Sequence, residues 1–131
     1  MKLTVSTWNG PLARHDDPRA AKVHAAIARL DGAGCTEVSL ARNDPFACVI
    51  AAGRPRLYLV TGKSPDGEIL QLIDPDAGQE DAALETVSLV CGGQRADFAR
   101  RDLVEREAAT AILLRFRQHR GHIPSPAWEV Q

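Results

Sequence analysis

Four strand-length segments follow one another through the middle of the chain with only turn residues between them. This run constrains the fold more than any other feature. "TEVSLAR" (36–42) alternates Val38 and Leu40 with polar residues, the period of a half-buried strand. "FACVIAAG" (46–53) is continuously apolar, as a central strand should be. "PRLYLVTG" (55–62) continues the run, and the Gly-Arg-Pro-Arg stretch between the two reads as a hairpin. "SPDG" (64–67) is a turn, and "EILQLID" (68–74) is a further strand, with Ile69 and one of Leu72 or Ile73 facing in. "ETVSLVCGG" adds a strand broken by Gly92-Gly93, and "RADFARRD" reads as a short one. Strands joined by such short turns pair antiparallel. The chain has no βαβ alternation, which argues against a doubly wound nucleotide-binding fold.

Helical patterning flanks this run. "KLTVSTW" reads as a first strand with Leu3, Val5 and Thr7 on one face, and "GPLARHDDP" as a loop. Asp17 before Pro18 predicts a helix start, with the carboxylate capping free amides and the proline in the first turn. That helix should run to about Leu30, with Ala20, Val23, Ile27 and Leu30 inward, and end at Gly32 and Gly34. A second helix is expected from Asp102, with Glu105 completing a capping-box-like pair. Val104, Ala108, Ile112 and Phe116 should form its inward ladder, widened by Ala109, Ala111 and Leu113, with Arg106, Thr110 and Arg117 in water. The fold class expected is α+β: an antiparallel β-sheet packed by an N-terminal and a C-terminal α-helix.

The 131 residues suit one domain, and 44% hydrophobic residues are enough for a core without a disulfide or metal. A net charge of −1 gives no global field toward nucleic acid or membrane. No apolar run approaches the roughly 20 residues of a membrane-spanning helix, and the N-terminus lacks an apolar signal region, so a cytoplasmic location is expected. Cys35, Cys48 and Cys91 are odd in number and lack a CxxC spacing, so they read as small buried hydrophobes. Cys35, in "GAGCTE", is the most exposed candidate of the three.

Catalytic signatures are lacking. His15, His24, His119 and His122 do not cluster. His119 and His122 have a spacing that two metal ligands could use, but no carboxylate or cysteine lies near them in sequence. "GGQRADF" has neither a Walker lysine nor a GxGxxG spacing. Arg100-Arg101 could touch phosphate, but a solvated basic face is the commoner meaning, and few aromatics are present to stack bases. Neither a cofactor nor a metal is expected.

One charge pattern stands apart. Asp66, Glu68, Asp74, Asp76, Glu80, Asp81 and Glu85 fall in a stretch without lysine or arginine. Like charges so placed repel one another and gain when a basic partner docks. A solubilising, edge-protecting loop is the competing meaning. The candidate partner-binding residues are Asp74, Asp76, Glu80, Asp81 and Glu85.

The tail, "REAATAILLRFRQHRGHIPSPAW", runs from an amphipathic helix into Gly121, two prolines and Trp128. With Val104, Glu107, Ala108, Phe116, Gly121, Pro124 and Trp128 at suitable spacings, it resembles the C-terminal signature of the Imm1 family of immunity proteins from bacterial polymorphic toxin systems. The layout of the rest resembles that family more loosely. The resemblance implies a non-enzymatic protein that binds and neutralises a cognate toxin domain, often a nucleic-acid deaminase, by steric and electrostatic occlusion. It implies neither a nucleic-acid nor a membrane partner. Two other functions compete with this expectation: a ligand-binding domain or small enzyme with a pocket between sheet and helices, using Cys35 or a histidine, and a secretion chaperone for an effector.

Overall fold

The central hairpin predicted from "FACVIAAGRPRLYLVTG" is the middle of the architecture. A computed structural model of the chain describes residues 1–7, 10–72, 85–91, 94–120 and 128–130. In chain order the elements are β1 (Lys2–Thr7), β2 (Gly10–Asp16), α1 (Ala20–Arg29), β3 (Glu37–Arg42), β4 (Ala47–Arg54), β5 (Leu57–Lys63) and β6 (Ile69–Leu72). There follow β7 (Thr86–Cys91), β8 (Gln94–Ala99), a 3-10 turn (Arg100–Asp102), β9 (Leu103–Val104), α2 (Arg106–Gln118) and β10 (Trp128–Val130). The protein is α+β, with an antiparallel sheet and two α-helices among the described residues.

Eight of the described strands form one sheet in the order β10-β6-β5-β4-β3-β1-β2, with β9 joined to β5. β5 divides its outer edge: Thr61–Lys63 pair with β6, and Tyr58 and Leu59 pair with Val104 and Leu103 of β9. β7 and β8 do not join this sheet as further strands. They form a separate two-stranded ribbon that touches β4.

One core holds the layers together. It takes Leu3 and Val5 from β1, Val38 and Leu40 from β3, Val49 and Ala51 from β4, and Tyr58 and Val60 from β5. The helices contribute Val23, Ala26, Ile27, Ala109, Ile112, Leu113 and Phe116, with Leu30 just beyond α1. α2 lies against β3, β4 and β5, and α1 packs beside α2. Each fully buried Leu, Ile or Phe contributes roughly 1.5–3 kcal/mol of transfer free energy, so this shared core decides the arrangement.

Several boundaries depart from the sequence expectations, each for a local reason. "GPLARHD" is the edge strand β2, paired with β1 through a bulge between Val5 and Ser6. An edge strand tolerates proline and polar residues, which is why this one looked like a loop. Asp17 does not cap α1. Its φ is 46°, its amide donates to the Met1 carbonyl at 2.8 Å, and its carboxylate accepts from the Met1 amino group at 3.1 Å. The helix begins at Ala20 behind Arg19, without a side-chain cap, and Ala20 itself is exposed.

α2 begins at Arg106, not at Asp102, because Leu103 and Val104 are held extended in the ladder with β5. Glu105 stands at the N-cap without a side-chain cap bond, so the capping-box pair is not formed. Ala108 and Ala111 are exposed and Thr110 is buried, which rotates the apolar stripe toward Ala109, Ile112, Leu113 and Phe116. Val104 is buried but lies on β9, off the helical ladder. Arg117 is half-buried, and its Nε donates to the Pro18 carbonyl at 2.6 Å. In β6 the inward residues are Leu70 and Leu72, while Ile69 is 47% exposed. Pairing with β5 sets Leu70 opposite the buried Gly62, and that phase buries two leucines where the other would bury one isoleucine and a glutamine. Ile73 and Thr7 fall outside the residues whose side chains are described.

Two consequences are testable. Gly53 has φ +114°, and a Cβ there would lie 2.3 Å from the Leu57 carbonyl oxygen. Gly53→Ala should therefore cost several kcal/mol, combining backbone strain of roughly 1–3 kcal/mol with the overlap, as read by chemical denaturation. Tyr58 is fully buried and its hydroxyl finds no hydrogen-bond partner among the described residues. Tyr58→Phe removes a stranded polar group and should raise stability by about 1 kcal/mol.

Candidate functional site

The sheet has two unlike faces. Pleat alternation places Glu37 of β3, Cys48, Ile50 and Ala52 of β4, and Lys63 of β5 opposite the helices. The β7–β8 ribbon lies over this outer face. Leu89 and Ala52 are both buried yet stand outside the main core cluster. Glu37 is also close enough to act on the Cys91 thiol. Phe46 (49% exposed) and Ile69 are the exposed large apolar side chains of the described residues. They sit at one end of this face, where Cys48, Lys63 and Ile69 are level in the ladder and Phe46 precedes β4.

The ionisable groups here are tuned by burial. Glu37 is half-buried, and loss of solvent raises its pKa. Burial pushes the Cys91 thiol up to about 11, with the Glu37 charge adding to the shift. Cys48 is raised by burial as well, partly opposed by its hydrogen bond with the Lys63 backbone and by the Lys63 charge. Thiols so shifted are protonated at neutral pH and are poor nucleophiles.

Cys35, expected to be the most exposed cysteine, is only 3% exposed, and burial raises its pKa. The loop after α1 folds over it. The Asp31 and Gly32 amides donate to the Cys35 carbonyl, and the Asp31 carboxylate accepts from the Cys35 and Ala33 amides at 3.0 and 2.9 Å. Those bonds lower the Asp31 pKa. The sequence carries the mark of this turn in Asp31-Gly32, and Cys35 is the small buried hydrophobe its residue type led one to expect.

The predicted site residues are scattered. Glu85 is exposed just ahead of β7, and its carbonyl accepts from the Arg100 amide at 2.9 Å. Asp74, Asp76, Glu80 and Asp81 lie outside the described residues, as do Gly121, Pro124 and His122. Val104 and Phe116 are in the core, whereas Ala108 of the same signature faces solvent. Glu107 is exposed in the first turn of α2, where it complements the helix dipole. It also lines a cleft of about 540 Å³ with Pro55, Arg56, Glu105 and Arg106. Trp128 opens β10, its backbone paired with Leu72 of β6. His15 sits on β2, His24 on α1 and His119 at the C-cap of α2, far apart in the fold's order. Among the described residues no three His, Cys, Asp or Glu side chains are grouped to hold a metal, and no helix is long and apolar enough to cross a membrane.

Sequence reasoning missed one convergence. Arg42 at the end of β3, Arg117 in the last turn of α2 and Arg120 just beyond it line a cleft of about 610 Å³ with Met1, Asp17, Pro18 and Gln118. Seventy-five or more residues of chain separate Arg42 from the other two, so no local pattern announces the meeting.

Glu37 yields a pH test. Its carboxyl is more readily protonated in the folded chain than in the unfolded one. Above the folded pKa it is charged in both states, and the folded state bears the desolvation cost; below the ordinary value of 4.5 it is neutral in both, and that cost is gone. Glu37→Gln should raise the melting temperature at neutral pH, and the two melting curves should converge as the pH falls below 4.5. Compared with known proteins, the chain matches no family model, no curated protein and no solved structure.

Proposed function

We propose that this protein is an immunity protein that binds a cognate bacterial toxin domain and blocks it by covering its active-site mouth. The reading rests on the resemblance of the tail to the Imm1 family signature. The observation that carries it is the return of the chain end to the sheet. Phe116 is fully buried on α2, Val104 is buried on β9, and the strand opened by Trp128 pairs with β6 at the sheet edge. The role expected of that signature is to bring Trp128 back against the edge of the core, and the pairing of Trp128 with Leu72 supports it.

The mechanism needs no bond chemistry of its own. A sheet braced on both faces presents a surface whose shape is fixed before the encounter, which limits the ordering cost of association. A tight interface of this kind buries about 1,600 Å² in total and relies on a few anchors. Phe46 and Ile69 are exposed apolar side chains of the anchor type. Asp74, Asp76, Glu80, Asp81 and Glu85 supply negative charge that would steer a toxin with a basic substrate cleft. Toxin domains that act on nucleic acids, deaminases among them, carry such clefts.

Two experiments test this reading. The chain should co-purify with the toxin domain encoded beside it and protect cells that express that toxin; a toxin that neither binds nor is blocked would overturn the proposal. Reversing Asp76, Glu80 and Asp81 to lysine should leave the melting temperature nearly unchanged and slow association at low salt, by roughly tenfold or more if the loop steers the encounter. Association rates equal to those of the parent chain at every salt concentration would remove that loop from the interface.

A further inference from the structure

The cleft at the C-terminal end of α2 gathers more positive charge than its position calls for. A helix C-terminus presents carbonyl oxygens and attracts cations, so one or two basic groups there are ordinary. Among the described residues that line it, three guanidinium groups, Arg42, Arg117 and Arg120, meet an amino group and a single carboxylate, that of Asp17. The carboxylate is engaged by the Met1 amino group, and none of the three arginines pairs with a carboxylate among the described residues.

Several carbonyls of this corner already accept hydrogen bonds. The Arg115 and Arg117 carbonyls accept from the His119 and Arg120 amides. The Pro18 carbonyl accepts from Arg117 Nε, and the Arg120 carbonyl from Arg42 Nη1. Arg42 Nη2 makes a long contact of 3.5 Å to the Asp44 carbonyl. A guanidinium carries five N–H donors, so these contacts orient Arg42 and Arg117 while leaving most of their donors unused. Arg120 spends no side-chain donor on the described residues. What remains is a set of oriented donors around a net positive cleft whose size, about 610 Å³, falls within the range of small-ligand sites.

We propose that this cleft binds a small, multiply charged oxyanion of the phosphate class, held by the guanidinium groups of Arg42, Arg117 and Arg120. Arginine forks match phosphate oxygens in bidentate geometry, and carbonyl-anchored arginines lose little side-chain freedom on binding. The described residues of the lining include no aromatic ring, so the assignment places recognition on the charged group and not on a stacked base. This assignment stands apart from the partner-protein reading, because neither the acidic segment nor the exposed apolar residues enter it.

The test is calorimetric titration of the full chain with inorganic pyrophosphate, at low salt and again at raised salt. Binding should be saturable and weaken as salt rises. Arg120→Gln removes one guanidinium and keeps the backbone carbonyl that Arg42 needs, so it should fold normally and lose roughly tenfold or more in affinity, the loss of a charge-assisted contact. Arg42→Gln should lose at least as much. Arg115→Gln, on the exposed side of α2, should bind like the parent chain. A nucleoside diphosphate should bind no more tightly than pyrophosphate. The proposal is overturned if millimolar pyrophosphate gives no binding, if Arg120→Gln binds as well as the parent, if Arg115→Gln weakens binding equally, or if the nucleoside adds a large gain.

Discussion

The ladder between β4 and β5 is the constraint on which the rest of the structure depends. It fixes which side chains of β4 meet the helices and which meet the ribbon: Val49 and Ala51 face the core, and Cys48, Ile50 and Ala52 face the other way. A shift of one residue would exchange the two sets. Gly53 holds the register at the turn, because only a residue without Cβ lets the strand pass so close to the Leu57 carbonyl. Pro55 follows in the turn, and Arg56 takes a left-handed φ of 71° to bring the chain back. The same ladder sets the outer edge of β5, and that edge places both β6 and β9.

Much of the fold was legible in the sequence because strand period and turn chemistry are local signals. β3, β4, β5 and the SPDG turn were readable from alternation and from glycine and proline positions. What escaped was decided by partners distant in sequence. β2 looked like a loop because its pairing with β1 compensates for a proline and polar residues. Asp102 looked like a cap because nothing local shows that Leu103 and Val104 are claimed by β5. Ile69 of "EILQLID" looked inward because nothing local shows that pairing with β5 sets Leu70 opposite Gly62. The ribbon was readable as two strands, but not as a pair separate from the sheet. Of the site, the exposure of Glu85 and the burial of Phe116 follow from sequence pattern. The raised pKa of Glu37 and the meeting of three arginines follow only from the folded arrangement.

The ionisable groups divide into two kinds of environment. On the outer face, burial pushes Glu37 and the thiols of Cys48 and Cys91 toward their neutral forms, so that face is quieter electrostatically than its residue types suggest. At the end of α2, by contrast, Arg42 and Arg117 are oriented by backbone carbonyls. The proposed partner-binding chemistry and the proposed oxyanion cleft thus draw on different parts of the molecule, and neither needs a reactive side chain.

The division of β5's edge has an evolutionary corollary. The chain leaves that strand at β6, makes the excursion that contains the ribbon, and comes back to the same strand at β9. Both gateposts of the excursion are nailed to one short stretch of backbone, three residues for the departure and two for the return, with Val60 between them. Insertions, deletions or wholesale replacement inside the detour would leave that anchorage where it is. The molecule therefore has a built-in cassette, whose displayed residues a lineage could rewrite as long as the ribbon keeps a cover such as Leu89 against β4.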